Sequence, residues 1–167
     1  GAFVALLIVL GYTSAELREW AMAKDLTSMW HPSPALLRGA LGLDDGSALR
    51  KEVSDVVHAK LGVRDLTFTE LRRRTGMDFT VVACDVVHDA RVELSAAKEP
   101  LMSVVMGVYA SMALPMVFAP ARTPDGRLPV DGGVKDNFPL TVFPPATTLG
   151  LCLRSGSVPR FDNALQL

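Results

Sequence analysis

Hydrophobic residues follow a helical period in the first half of the chain and a strand period in much of the second. The opening run, residues 2–10, is apolar on every side and stops at Gly11, which predicts a helix buried against a sheet on several sides. This run is too short to cross a bilayer, because a membrane-spanning helix needs about 20 apolar residues. Apolar positions at helical spacing between residues 47 and 61, ended by Gly62, predict a later amphipathic helix.

Two further helix starts are marked by capping boxes. Thr13 stands three residues before Glu16, and Thr67 stands three residues before Glu70. At this spacing each threonine side chain can accept the glutamate N–H, while the glutamate side chain accepts the threonine N–H. We therefore expect a helix to begin after each threonine, so that the first half of the chain forms a helical cover over a core.

The period changes at Phe79. Residues 79–87 and 92–95 are rich in β-branched side chains and flank a short polar turn, which predicts two strands. Apolar residues from 101 to 112 return to helical spacing.

The last third of the chain predicts three more strands. The turn at residues 124–127, Pro-Asp-Gly-Arg, predicts a hairpin between residues 117–118 and 128–130. Residues 147–153 are mostly apolar and predict a final buried strand, with the residues beyond it packed loosely.

Composition narrows the class of protein. With 167 residues and 49% hydrophobic residues, the chain is suited to one domain with a substantial core. The net charge of -1 favours no nucleic-acid partner. The one dense basic cluster, residues 72–74, suits the C-terminal end of a helix. Two cysteines, Cys84 and Cys152, are too few for a disulfide framework and permit a reducing compartment.

The histidines indicate neither a metal site nor a conventional catalytic triad. His31, His58 and His88 share no ligand-like spacing with Cys, Asp or Glu. We expect each of them to have a surface or structural role, and we expect no metal.

The segment with the most chemical information is Asp131-Gly132-Gly133, which directly follows the predicted strand 128–130. A carboxylate at a strand end is held by a rigid element, and the glycines allow close backbone approaches that a Cβ would forbid. Taken without context, Asp-Gly is also a common turn pair, and a capping aspartate is the alternative reading.

The chain resembles the patatin-like phospholipase family in several blocks that occur in order. The block around Asp131 is similar to the family's Asp-Gly-Gly or Asp-Gly-Ala segment. Residues 1–17 resemble the helix that follows the family's Gly-x-Ser-x-Gly elbow, with Gly1 as the elbow's last glycine. The remaining similar blocks are residues 66–71, 79–85, 110–115 and 117–120.

The resemblance implies a fold and a mechanism. The fold is α/β, a three-layer patatin-like domain with a mainly parallel central sheet flanked by helices. The function is that of a lipid acyl hydrolase in lipid catabolism, with Asp131 as the base of a Ser-Asp dyad and no cofactor. The serine would lie two residues before Gly1, so residues 1–154 form a partial domain without the elbow or the oxyanion loop, and this chain alone would be inactive. Residues 155–167 form a tail.

The resemblance also implies the partners. A lipid or fatty-acyl ester is the expected substrate, with transient contact at a membrane surface, and Phe118 and Phe138 are candidates for an acyl groove because they flank Asp131 in sequence. A cytoplasmic or peripheral-membrane location is the most compatible with these features. The alternative is a truncated or degenerate patatin-like module that binds lipid or a protein partner without turnover.

Overall fold

The computed structural model describes residues 1–152, which form two compact units, residues 1–137 and a second unit that begins at Phe138. The α-helices are α1 (Ala2–Val9), α2 (Ser14–Ala23), α3 (Leu37–Ala40), α4 (Ser47–Leu61), α5 (Phe68–Thr75) and α6 (Val104–Ala110). The strands are β1 (Gly42–Asp44), β2 (Thr80–Asp85), β3 (Ala90–Ser95), β4 (Met116–Phe118) and β5 (Pro129–Asp131). Short 3₁₀ helices occupy Leu26–Met29, Pro34–Leu36, Gly132–Val134, Leu140–Val142 and Pro145–Thr147.

Both predicted capping boxes are confirmed. Thr13 accepts the N–H of Glu16 at the start of α2, and Thr67 accepts the N–H of Glu70 at the start of α5; each glutamate bonds its threonine in return. The helix predicted for residues 47–61 is α4, and it ends at Gly62, whose left-handed φ of 70° suits glycine.

The strands form two sheets, and the predicted α/β class is confirmed. β1 and β4 pair in parallel, whereas β2 lies between β3 and β5 and is antiparallel to both. The parallel pairing expected of a central sheet is thus present in β1 and β4, while β2 and β3 are antiparallel because a short turn joins them. Within residues 1–152, parallel pairing is limited to this one pair of strands.

The predicted hairpin at residues 124–127 is right about the turn and wrong about the strands. Thr123 donates its N–H to Arg127 O (3.2 Å), and Ala121 donates its N–H to Pro129 O (3.1 Å). Beyond these bonds the two arms separate, since β4 pairs with β1 and β5 pairs with β2.

The core of the first unit lies between the helices and the three-stranded sheet. α1 is a helix as predicted, and it packs on α6. Its burial on several sides is not observed, because Val4 and Ile8 are 50% and 49% exposed. The largest fully buried apolar side chains are Tyr109, Phe68, Leu6, Leu7, Leu71, Leu94, Val53, Val57, Val104, Val108 and Val130.

The described part of the second unit, residues 138–152, contains short 3₁₀ helices and not the predicted final strand. Residues 145–147 are helical, and Leu149 and Leu151 are exposed, so the described part of the segment 147–153 is not a buried strand. Phe138 packs close to Gly150, where an added Cβ would meet its ring at 2.5 Å. The predicted domain boundary at residue 154 and the tail 155–167 lie outside the described residues.

Candidate active site

Asp131 is the last residue of β5 and is held by bonds on both sides. Its N–H donates to Ala113 O (2.9 Å), and it lies opposite Ala83 of β2. Its side chain caps the following 3₁₀ helix, because Oδ1 accepts the N–H of Gly133 at 2.7 Å. The other carboxylate oxygen, Oδ2, has no partner among residues 1–152. The half-buried carboxylate therefore does both things expected of it from the sequence. One oxygen caps the following helix, and the other is available as a proton acceptor.

Close contacts exclude a side chain at Gly132 and leave little room for one at Gly133. A Cβ on Gly132 would lie 2.2 Å from the carbonyl oxygen of Val82, and a Cβ on Gly133 would lie 3.1 Å from Asp131 Oδ1. The first distance is impossible without backbone movement, since the obstructing atom belongs to the central strand β2. The glycines let the chain turn closely over that strand, as the sequence predicts.

Ion pairs join the loop after Asp131 to the turn between β2 and β3 and to the start of β3. Arg91 Nε donates to Asp136 Oδ2 at 2.7 Å, and its Nη1 donates to Glu93 Oε1 at 2.6 Å. Lys135 Nζ lies 2.6 Å from Asp89 Oδ1. Burial opposes the charge on Arg91, but its hydrogen bonds to Glu93 and Asp136 outweigh burial and raise its pKa.

These ion pairs were not predicted from the sequence. The only signal is that both turns carry neighbouring charges of opposite sign, Asp89 and Arg91 in one and Lys135 and Asp136 in the other. Partners that are tens of residues apart could be matched only once β5 was known to pair with β2.

The nearby serine and cysteine have structural roles. Ser111 donates its hydroxyl to Val82 O at 2.6 Å. Gly132 lies against the same carbonyl oxygen. Cys84 of β2 is buried opposite Val130, and burial raises the pKa of its thiol, which disfavours the reactive thiolate.

Asp85 and His88 form a second pair of ionisable groups. His88 Nδ1 lies 2.5 Å from Asp85 Oδ2, and Asp85 Oδ1 accepts the N–H groups of Val87 and Leu128 at 3.1 and 3.2 Å. Burial opposes ionisation of Asp85, yet the hydrogen bonds from His88, Leu128 and Val87 outweigh it and lower the pKa of this carboxyl group. The buried carboxylate thus anchors the end of β2 to the segment entering β5.

The remaining predicted site residues lie in separate parts of the chain. Gly1 is exposed at the start of α1, where its carbonyl accepts the N–H of Ala5 at 3.0 Å. Both α1 and β5 contact α6, and the proximity of Gly1 to Asp131 remains a prediction. Phe118 is partly buried on β4 and packs against the core of the first unit. Phe138 belongs to the second unit, so a groove formed by both phenylalanines also remains a prediction.

Neither a metal site nor a membrane-spanning helix is present in the described part of the chain. Within it, no group of three or more His, Cys, Asp or Glu side chains is arranged to hold a metal ion. Nor does any of its helices have the length and apolarity needed to cross a membrane. A cleft of about 410 Å³ lies near Pro129, at the other end of β5 from Asp131. Its lining includes Met102, Met106, Ala121, Arg122 and Arg127.

Comparison with known proteins agrees with the resemblance seen in the sequence. A comparison with curated proteins gave no significant match. A sequence model of the patatin-like phospholipase family matches residues 1–144, which include α1, all five strands and the Asp131 turn. The chain therefore belongs to the patatin-like phospholipase family, a family of lipid acyl hydrolases.

Proposed function

We propose that this chain carries the base of a Ser-Asp dyad that hydrolyses fatty-acyl esters, with Asp131 as the base. One observation carries the proposal: Asp131 Oδ1 is held by the N–H of Gly133 at 2.7 Å, while Oδ2 has no partner among the described residues. A general base must be oriented and must keep an acceptor atom available for the proton that it removes. The rigid end of β5 supplies the orientation, because backbone bonds hold it on both sides.

The serine of the dyad is proposed to come from a segment preceding Gly1. None of the serines in this sequence stands in a Gly-x-Ser-x-Gly context. Ser111, which is close to Asp131 along the chain, donates its hydroxyl to Val82 O instead. The start of α1 at Gly1 is compatible with an elbow that opens this helix.

In the proposed reaction, the serine Oγ attacks the acyl carbonyl carbon of the ester while its proton passes to Asp131 Oδ2. The tetrahedral intermediate then collapses, the ester C–O bond breaks, and the proton moves from Asp131 to the leaving alcohol oxygen. Water attacks the resulting acyl-enzyme with Asp131 again as base, which releases a fatty acid and restores the serine. No cofactor takes part in these steps.

The substrate is proposed to be a lipid met at a membrane or micelle surface. The family acts on lipids, and transient interfacial contact gives access to an ester without a membrane-spanning segment. Phe118 and Phe138 remain the proposed contacts for the acyl chain. Each ring is partly exposed within its own unit and is accessible to an acyl chain.

A second candidate function is a patatin-like module that binds lipid or a protein partner without turnover. The observation that favours it is that no serine of this sequence stands in a Gly-x-Ser-x-Gly context. The two functions differ in whether the gene product supplies a serine to Asp131.

The deciding experiment measures fatty-acid release from acyl p-nitrophenyl esters and from phospholipid micelles. We expect no turnover by residues 1–167 alone, and turnover by the gene product that carries the upstream serine. In that product, Asp131→Asn should keep the fold and lower turnover by about 10²–10⁴-fold, because the amide cannot accept the proton.

The matched control is Asp78→Asn, which changes an exposed aspartate paired with Arg72 at 2.9 Å. This control should keep the parent rate. An unchanged rate in Asp131→Asn would refute the dyad, and a serine-bearing product inactive on every ester tested would favour the binding module.

A further inference from the structure

We propose that Arg91 is a positioning residue for Asp131, acting through Asp136 and the turn at residues 132–136. This proposal rests on the proposed function of Asp131 as a general base. Arg91 lies on β3, and the central strand β2 separates β3 from β5. Its side chain nevertheless reaches the loop after Asp131, where Nε donates to Asp136 Oδ2 at 2.7 Å.

Backbone hydrogen bonds connect Asp136, at the end of the turn, to Gly132 at its start. The N–H groups of Asp136 and Lys135 both donate to Gly132 O, at 2.8 and 3.0 Å. Gly132 rests on the carbonyl of Val82, where a Cβ would come within 2.2 Å. The turn is thus held on one side by β2 and on the other by the bond between Arg91 and Asp136.

The atom that this arrangement places is the amide nitrogen of Gly133. That N–H donates to Asp131 Oδ1 at 2.7 Å and is the one hydrogen bond on the Asp131 side chain within residues 1–152. If the turn shifts, the Gly133 donor shifts with it, and the carboxylate loses its fixed orientation. A displacement of a catalytic group by about 1 Å can cost about 10²-fold in rate.

Arg91 is better suited to this role than the neighbouring lysine. The Arg91 and Asp136 side chains are 30% and 23% exposed, whereas Asp89, the partner of Lys135, is 84% exposed. Exposed ion pairs between flexible side chains contribute little. Arg91 also bonds Glu93 at 2.6 Å, so two carboxylates hold its planar guanidinium in place.

The first test reads the position of the turn without any need for activity. In residues 1–167, the amide shift of Gly133 and the carboxyl ¹³C shift of Asp131 are measured by NMR for the parent chain, Arg91→Met and Asp136→Asn. Arg91→Met removes the bond, whereas Asp136→Asn keeps an acceptor oxygen and loses the charge, so we expect both signals to move in each variant and to move less in Asp136→Asn. The double variant should move them no further than Arg91→Met does.

Arg91→Lys keeps the positive charge but not the planar guanidinium with its several donors. Both signals should therefore lie between those of the parent and those of Arg91→Met. Arg72→Met is the control, because it breaks an exposed ion pair with Asp78. It should leave both signals unchanged. If Arg91→Met does not fold, the Asp136→Asn spectrum carries the test.

The second test uses the serine-bearing gene product. Arg91→Met and Asp136→Asn should lower kcat by about 10- to 100-fold with KM changed less than about twofold, because orientation of the base affects the chemical step. Unchanged Gly133 and Asp131 signals would overturn the positioning role whatever the activity. Displaced signals with an unchanged kcat would show that Arg91 positions the turn without affecting catalysis, and would overturn the proposal. Loss of the dyad itself is recognised separately, by an unchanged rate in Asp131→Asn.

Discussion

The α-carbon of Gly132 rests directly on the carbonyl oxygen of Val82, at a spacing where a Cβ would come within 2.2 Å. This contact brings the turn after Asp131 onto the central strand β2. The same carbonyl accepts the Ser111 hydroxyl at 2.6 Å, so α6, β2 and the turn meet at one atom. The conformation of the turn therefore depends on the absence of a side chain at residue 132.

Gly132→Ala should destabilise the protein by about 1–3 kcal/mol or more, because the added methyl group must push the turn away from β2. The measurement is urea unfolding. The control is Gly39→Ala, where nothing lies within 4 Å of an added Cβ. A Gly132→Ala protein as stable as the control would contradict the contact.

Asp85→Asn should reduce stability at neutral pH by about 1–3 kcal/mol, because the amide is a poorer acceptor for the buried N–H groups of Val87 and Leu128. The folded pKa of Asp85 lies below the ordinary aspartate value of 3.8. Its ionised form therefore contributes stability that is present above pH 3.8 and is lost as the pH falls through the lower folded value.

The measurement for Asp85 is the free energy of unfolding in urea from pH 7 down to acid, compared with Asp85→Asn. The difference between the two proteins should shrink as the pH falls below about 4. Asp78→Asn serves as the exposed control. A difference that stays constant through the acid range would show that ionisation of Asp85 does not stabilise the fold.

Tyr109 should ionise late in an alkaline titration. Burial raises its pKa to about 12, although Arg50 beside the ring opposes this effect. Stability that is present below pH 10 should be lost as the pH rises toward about 12, because the unfolded chain releases the proton earlier.

Phenolate absorbance measures this titration as the difference between the parent and Tyr109→Phe, because the chain has two tyrosines and burial also raises the pKa of Tyr12. Tyr109→Phe should remove the late step and should cost about 1–2 kcal/mol, since the carbonyl of Ala119 loses a buried donor. If the late absorbance step persists in Tyr109→Phe, the assignment is wrong.

Removal of a capping box should weaken α5 measurably. Thr67→Ala should cost about 1 kcal/mol, because Thr67 accepts the N–H of Glu70 and no other group replaces it. The comparison is Thr69→Ala, an exposed position within the same helix, where alanine should be neutral or slightly stabilising. Equal thermal unfolding of the two variants would contradict the capping role.

The sequence by itself determined the features that depend on bonds between near neighbours. A capping box joins residues three apart, so Thr13 and Thr67 predict the starts of α2 and α5 without knowledge of the fold. Gly62 ends α4 for a similarly local reason, its left-handed backbone. The bond from the N–H of Gly133 to Asp131 Oδ1 is also local, whereas the need for glycine at residue 132 comes from Val82 on β2.

Tertiary structure alone decided which strands pair and which charged groups meet. The pairing of β4 with β1 rather than β5 depends on contacts between segments far apart along the chain, which local hydrophobic patterns do not encode. The bond between Arg91 and Asp136 spans 45 positions and exists because β2 brings β3 and β5 together. The exposure of Val4 and Ile8 was decided in the same way, since an apolar pattern shows what can be buried but not what is present to cover it.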